Sequence, residues 1–275
     1  TTQIRTLVGG NPYLKPEEGS NATFGIVYTP NQVEGLSIAV DFWEIEMENI
    51  FVTTSAGSIL NRCYVASTSQ DDTYCNFVER TATGGLQVVR GAKTNAALNN
   101  VSGVDFAASY EFSVDNYGEF ITSFDMTYYT KDEFAASATS TPSESFGWYD
   151  GSADFRWRAN AGLLWEYSDF VTSLNFRFLD DNKDDCWLSY YLGLDDQCSN
   201  PDEDSNYGPG GYNLMEVEFY TDLQVSYEYS DNMSMFIGAR NLFGEEPPLA
   251  YDAFAQSFDY AWDIPGGAFI YGGFK

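Results

Sequence analysis

The chain has 275 residues, 44% hydrophobic and 17% aromatic, and its 20 Tyr and 21 Phe fit a pleated, half-buried surface better than a helix. Thirteen Lys and Arg against 41 Asp and Glu leave a net charge of −28, which repels a phosphate backbone and excludes nucleic acid as a partner. No histidine is present, so a Ser-His-Asp or Cys-His nucleophile and His-ligated haem are excluded within this sequence, and no apolar run is long enough for a membrane-spanning helix.

Period-two alternation marks strands in chain order, the first two over residues 20–29 and 36–51. Inside the second the apolar parity switches from Leu36, Ile38, Val40 and Phe42 to Trp43, Ile45 and Met47, leaving Glu44, Glu46 and Glu48 on the first face. A bulge, or a strand that runs on beyond a membrane, accounts for the switch. After a long polar connection at 52–97, strands are expected over 98–113 and 118–134. There Val104, Phe106, Ala108, Tyr110 and Phe112 oppose Asp105, Ser109, Glu111 and Ser113, while Phe120, Phe124, Met126 and Tyr128 oppose Glu119, Ser123, Asp125 and Thr127.

A second connection, 135–152, leads to a strand over 153–168 that contains FRWRANAGLLWEY. Phe155, Trp157, Ala159, Ala161, Leu163, Trp165 and Tyr167 form its apolar face, and Arg156, Arg158 and Glu166 stand on the other. Further strands are expected over 170–180, 214–229, 233–243 and 267–274, with a third long connection at 181–213. Arg177, Glu216 and Glu218 fall on the polar parity of theirs, whereas 233–243 is two-sided.

Many of these strands exceed the usual five or six residues of a soluble protein. Tight turns at Ser168-Asp169 and Ser230-Asp231-Asn232 alternate with the long connections, the layout of an outer-membrane barrel with one short rim and one looped rim. A soluble sandwich also alternates, so length and loop asymmetry carry the choice. Slipping the register by one residue would place Arg156 and Arg158 in lipid, at about 2–4 kcal/mol each near the midplane. Arg156, Arg158, Glu166, Arg177, Glu216 and Glu218 are therefore expected to face an aqueous lumen, pairing with neighbours or lining a polar path. Phe155, Trp165 and Tyr167 suit the interfacial girdles.

Cys63 with Cys75 and Cys186 with Cys198 share a spacing of twelve inside polar segments, which reads as two loop disulfides and an oxidising compartment. Free thiols or a four-Cys metal site are the alternatives, although no C-x-x-C knuckle is present. Asp181, Asp184, Asp185, Asp202 and Asp204 offer hard oxygen ligands for structural calcium, with a solvated acidic loop as the plainer reading; no other cofactor is expected. Trp187, Tyr190, Tyr191, Tyr207 and Tyr212, and with less weight Trp148 and Tyr149, are loop aromatics able to stack on a ligand or on each other.

Several motifs resemble those of the TonB-dependent outer-membrane receptors. GNPYLKPEEGSNATFGIVY at Gly10 to Tyr28 is similar to that family's GNP-x-L-x-PE segment, followed by GLSIAVDFWEIEMENIF at Gly35 to Phe51. YCNFVERTATGGLQVV at Tyr74 to Val89 and GVDFAASYEF at Gly103 to Phe112 resemble its Cys-bearing stretch and its G-[IV]-D strand. GARNLFGEEPP at Gly238 to Pro248 is similar to its RNLF hallmark. The resemblance implies an all-β fold, an antiparallel transmembrane barrel of about 22 strands filled by a plug, of which this chain would be the C-terminal part with about nine strands. It also implies that plug and earlier strands precede Thr1, and it leaves room for residues after Lys275, since the family closes on an aromatic residue and here Phe274 is second from last.

The expectation is thus a non-enzymatic importer in a Gram-negative outer membrane, taking a scarce nutrient such as a ferric chelate or a glycan. Its partners would be outer-membrane lipid, its own plug, the TonB complex and the small ligand. A passive porin or adhesin barrel is the first alternative, and a secreted soluble β-sandwich binding carbohydrate the second.

Overall fold

A computed structural model of the chain describes residues 4–53, 55–64, 72–135, 141–149, 153–193, 198–203, 210–230, 232–250, 262 and 267–274. Strand β1 is Arg5–Gly9, β2 Glu18–Tyr28 and β3 Leu36–Thr53. Helices α1 at Ala56–Tyr64 and α2 at Asp72–Cys75 precede β4 at Val78–Arg80. Next come β5 at Leu86–Val114, β6 at Gly118–Ala135, and the short β7 at Ser143–Glu144 and β8 at Trp148–Tyr149. Then follow β9 at Trp157–Tyr167, β10 at Phe170–Leu179, β11 at Asn182–Asp185 and helix α3 at Trp187–Leu192. The last strands are β12 at Tyr212–Met215, β13 at Glu218–Ser230, β14 at Met233–Arg240 and β15 at Phe269–Phe274.

One sheet runs β15-β14-β13-β10-β9-β6-β5-β3-β2, with β1 and β4 paired to β5 and β7 to β6; a second, small sheet runs β12-β11-β8. Every neighbouring pair from β6 through β9, β10, β13 and β14 to β15 is antiparallel. The fold is all-β, and the nine strands of the main path answer to the nine expected from alternation.

Their ends differ in informative ways. Residues 214–229 do not form one strand, because Met215 pairs with Asn182 in the small sheet while Phe219 pairs with Phe178 in the large one. The chain changes sheets at Glu216 and Val217 without breaking its apolar rhythm. Likewise the ladder of β9 on β6 begins at Trp157, opposite Tyr128, so Phe155 lies before the strand. Phe155 is buried in a cluster with Tyr149, Leu179, Met215, Tyr220, Ala250 and Trp262, edge-on to the Trp262 ring at 5.2 Å, rather than in an interfacial girdle.

Strand β3 runs for 18 residues, far beyond the 9–11 or so that cross a bilayer. Trp43 stands over Gly103, whose missing side chain makes the space: a Cβ there would lie 2.6 Å from the Trp43 ring. Asn49 takes a left-handed φ of 57°, which Asn tolerates, and its carbonyl accepts a hydrogen bond from Asn95 Nδ2 at 2.7 Å.

The chain divides into two compact units. One comprises Thr1–Asn21, Ile45–Asn100 and Glu133–Ser143. In it β1 and β4 flank β5, the first parallel and the second antiparallel, over buried Ile59, Cys63, Val88, Val89 and Ala97. Cys63 and Cys75 are disulfide-bonded there. The other unit comprises Ala22–Glu44, Val101–Asp132 and Glu144–Lys275, and it holds the Cys186–Cys198 disulfide and the buried cluster around Phe155. The connections 29–35, 115–117 and 168–169 belong to this second unit, and the β4–β5 turn at 81–85 to the first. Left-handed backbone makes the turns: Gly35 has φ 83°, Asn116 66°, Gly118 91° and Ser168 53°.

Candidate functional site

The registers assign side chains in the second unit to two faces, since directly opposed residues point the same way. One face carries Phe120, Phe124, Met126 and Tyr128 on β6, with Trp157, Ala159, Ala161, Leu163 and Trp165 on β9. It continues through Leu174, Phe176 and Phe178 on β10 and Phe219, Leu223, Val225 and Tyr227 on β13 to Ile237 and Ala239 on β14. Phe124, Tyr128, Phe219 and Ile237 are exposed, so no second layer covers them among the described residues.

This face is bounded by two aromatic rows. Phe120 and Tyr128, Trp157 and Trp165, Phe170 and Phe178, and Phe219 and Tyr227 are each eight residues apart on four consecutive strands. Eight residues at about 3.4 Å, inclined by roughly 40°, separate the rows by about 21 Å, close to the apolar band of a transmembrane barrel. Within the rows, Phe112 stacks on Phe120 at 5.1 Å, Phe120 on Trp165 at 6.1 Å and Trp157 on Phe178 at 3.9 Å. The Trp165 indole donates to the Tyr117 carbonyl at 2.6 Å. Just beyond β10, burial lifts Asp180 above the usual carboxylate range and the Asp181 charge adds to it, against hydrogen bonds from the Asp181 backbone and from Trp157.

The opposite face is polar. Across it, Asp125 faces Asn160 and Asn160 faces Arg177, Thr127 faces Arg158, and Asn175 faces Asp222. Asp125, Thr127, Arg158, Asn160 and Arg177 line a depression of about 340 Å³. A neighbouring one of about 360 Å³ adds Ser123, Asn175, Asp222 and Arg240. Three arginines meet aromatic residues: Arg158 donates to the Tyr129 hydroxyl at 3.3 Å, Arg177 lies 4.7 Å over Tyr220, and Arg156 lies 4.8 Å over Phe146. Arg156 also pairs with Glu144 at 3.5 Å. Tyr129 joins Trp43 edge-on at 5.6 Å and Phe146 at 5.5 Å. Trp43, Tyr129 and Phe146 had no weight in the sequence, where an aromatic residue counts as apolar; the one available sign was the odd parity of Trp43 and Tyr129, shared with Thr127.

The other expected site residues are distributed as follows. Glu166 stands opposite Glu119, Glu218 opposite Leu179, and Glu216 lies between strands. Trp148 and Tyr212 are 5.8 Å apart and both hold the Lys183 ammonium, at 5.5 and 4.5 Å from their centroids. Tyr149 is buried. Those three rings thus organise the small sheet, while Tyr190 and Tyr191 on α3 are exposed. Trp187 begins α3; its side chain, Tyr207 and Asp204 lie outside the described residues. Asp184 and Asp185 are buried on β11, but Asp181 and Asp202 are exposed, and among the described residues no three acidic or cysteine side chains come together as a metal site.

The RNLF segment has a structural account. Asn241 is buried with φ 49°; its backbone N–H donates to Asp222 Oδ1 at 2.7 Å, its Nδ2 to the Glu245 carbonyl at 2.6 Å, and its Oδ1 accepts from the Glu245 N–H at 2.9 Å. Asn241→Ala removes both side-chain bonds and puts Ala in a left-handed position, an expected loss of about 2 kcal/mol. Faster tryptic cleavage after Arg240 is the readout, and Asn241→Gly, which relieves only the backbone, is expected to recover part of it.

Residues 1–242 match the family described as "TonB dependent receptor-like, beta-barrel". No curated protein sequence matches the chain. Among solved structures, a mutant ferric enterobactin receptor of Pseudomonas aeruginosa bound to enterobactin is 18% identical with a TM-score of 0.59. The siderophore receptor PirA of Acinetobacter baumannii is 16% identical with 0.59, and the FrpB iron transporter of Neisseria meningitidis 10% identical with 0.57. Each comparison covers 97% of this chain and 32% of the other, so the chain spans about a third of the length of these receptors, and at such identities the likeness is one of fold. The family match over most of the length, with a sheet apolar on one face and polar on the other, makes this chain a member of the TonB-dependent receptor β-barrel family.

Proposed function

We propose that the chain is the C-terminal portion of the barrel of an energised outer-membrane importer. Its apolar face would meet lipid between the two aromatic rows, and Arg158, Glu166, Arg177 and Glu218 would face the lumen and the receptor's plug. Arg156 and Glu216, just off the strands, would stand at the mouth. The observation that carries the reading is the continuous two-faced wall over β6, β9, β10 and β13, bounded by two aromatic rows, which suits hydrocarbon on one side and water on the other. The ligand would be a scarce nutrient, with a ferric chelate ahead of a glycan because the solved relatives include a ferric enterobactin receptor and an iron transporter. The exposed Tyr190 and Tyr191 offer first contact on the looped rim.

The test uses cells whose sole route for a labelled nutrient is the full-length receptor, supplied with ferric enterobactin or with an oligosaccharide. Uptake of one of them is expected to fall to background when TonB is deleted. Uptake that persists without TonB, or that admits unrelated small solutes equally, would favour a passive porin instead.

A further inference from the structure

The polar face changes character across the width of the sheet. On β6 and β9 it carries charge at two levels, Asp125 and Arg158 toward one end and Glu119 with Glu166 near the turn, separated by Ile121 and Leu164. On β13, β14 and β15 the levels between Asp222 and Glu228 hold Gln224, Ser226, Phe236, Gly238, Tyr271 and Gly273, none of them charged. The two rings lie down on the sheet. Tyr271 reaches from β15 across Gly238 on β14, where a Cβ would stand 2.5 Å from the ring, and its hydroxyl donates to Gln224 Oε1 on β13 at 3.1 Å. Phe236 lies over Gly273 in the same way, its ring 2.8 Å from the place of a Cβ. Gln224 Nε2 turns to Ser226 Oγ at 3.4 Å, so the polar groups of Tyr271, Gln224 and Ser226 bond one another along the wall.

A body seated against this face would hold to its two parts unequally. Charge-assisted hydrogen bonds are directional and roughly twice as strong as neutral ones, and β6 with β9 offers both signs of charge to make them. A ring lying flat offers contact without direction, and since one side of it already rests on the wall, only the other is rewetted when its neighbour leaves. We infer that the plug is gripped by β6 and β9 and parts from the ring-tiled strip of β13, β14 and β15 when it moves, so that the passage for the ligand opens along Tyr271 and Phe236. The inference rests on the proposed importer, whose plug faces this wall.

The four native cysteines are disulfide-bonded, so a single cysteine introduced into the full-length receptor can be followed, with the parent receptor as the blank. Ser226→Cys and Ser234→Cys, the latter opposite Glu228, report on the strip; Ser123→Cys and Asn160→Cys report on the charged part. A hydrophilic maleimide would be applied to purified receptor in detergent over urea concentrations too low to abolish heat-modifiable migration. Each variant is scored by the urea at which labelling reaches half of its own final rate. The strip pair is expected to reach that point at least about 0.5 M earlier than the other pair. Ser226 and Ser234 are half-buried by their own neighbours while Ser123 and Asn160 are exposed, so local packing alone gives the opposite order. Two positions on each part keep the comparison when one variant fails to fold. A shared midpoint, or the reverse order, overturns the inference, and TonB-dependent uptake then leaves the importer standing. Rapid labelling of all four without urea means an open lumen and removes the inference and the importer reading together.

Discussion

Leu174→Arg is expected to cost about 2–4 kcal/mol of folding stability in lipid vesicles, while Ser173→Arg, one residue away, should change it by less than about 1 kcal/mol. Leu174 stands opposite Leu163 on one side and Leu223 on the other, midway between the aromatic rows. A guanidinium there enters hydrocarbon or drags water and headgroups toward it. Ser173 stands opposite Leu164 and Gln224 on the polar face, where a new arginine meets water. Urea midpoints of the full-length receptor, followed by its tryptophan fluorescence, measure the difference. Equal effects at the two positions would mean that the apolar face does not contact acyl chains, and the transporter reading would lose its physical basis.

The second large effect is expected at a turn. Gly118→Ala should destabilise by about 3 kcal/mol or more, because Gly118 has φ 91° and a Cβ there would run into the Glu166 carbonyl oxygen, a backbone atom of the neighbouring strand. Gly84 isolates the conformational part of that cost: its φ is 88° but nothing lies within 4 Å of the missing Cβ. Gly84→Ala should therefore cost only about 1 kcal/mol. The pair is compared by the fraction of receptor that migrates as the folded, heat-modifiable species, and similar behaviour would show that the contact with Glu166 yields easily.

Strand existence and facing were readable because period two is local: Trp157 to Trp165 announces its own apolar face without any knowledge of its neighbours. What depended on a distant partner was not readable. Phe155 and Met215 continue the same rhythm in sequence, yet both are buried in one cluster because the ladders that would hold them in the large sheet have already ended. Trp43 sits on the polar face only because Gly103, 60 positions away in the chain, leaves it room. Trp148 and Tyr212 were legible as loop aromatics but not as the two sides of a clamp on Lys183, since that needs the small sheet to bring three separate segments together. The polar wall was half legible: parity gave Arg158 and Arg177, and the rings that back them required the folded register.

On the importer reading, the spacing of the aromatic rows also sets a preferred solvent. A slab of about 21 Å is thinner than the roughly 30 Å of an average bilayer interior, so thick membranes would have to pinch around this wall while thin ones fit it unstrained. Short-chain phospholipids should accordingly accept the folding protein more readily than long-chain ones, and the same mismatch would discourage it from remaining in any compartment whose membrane is stiff and deep.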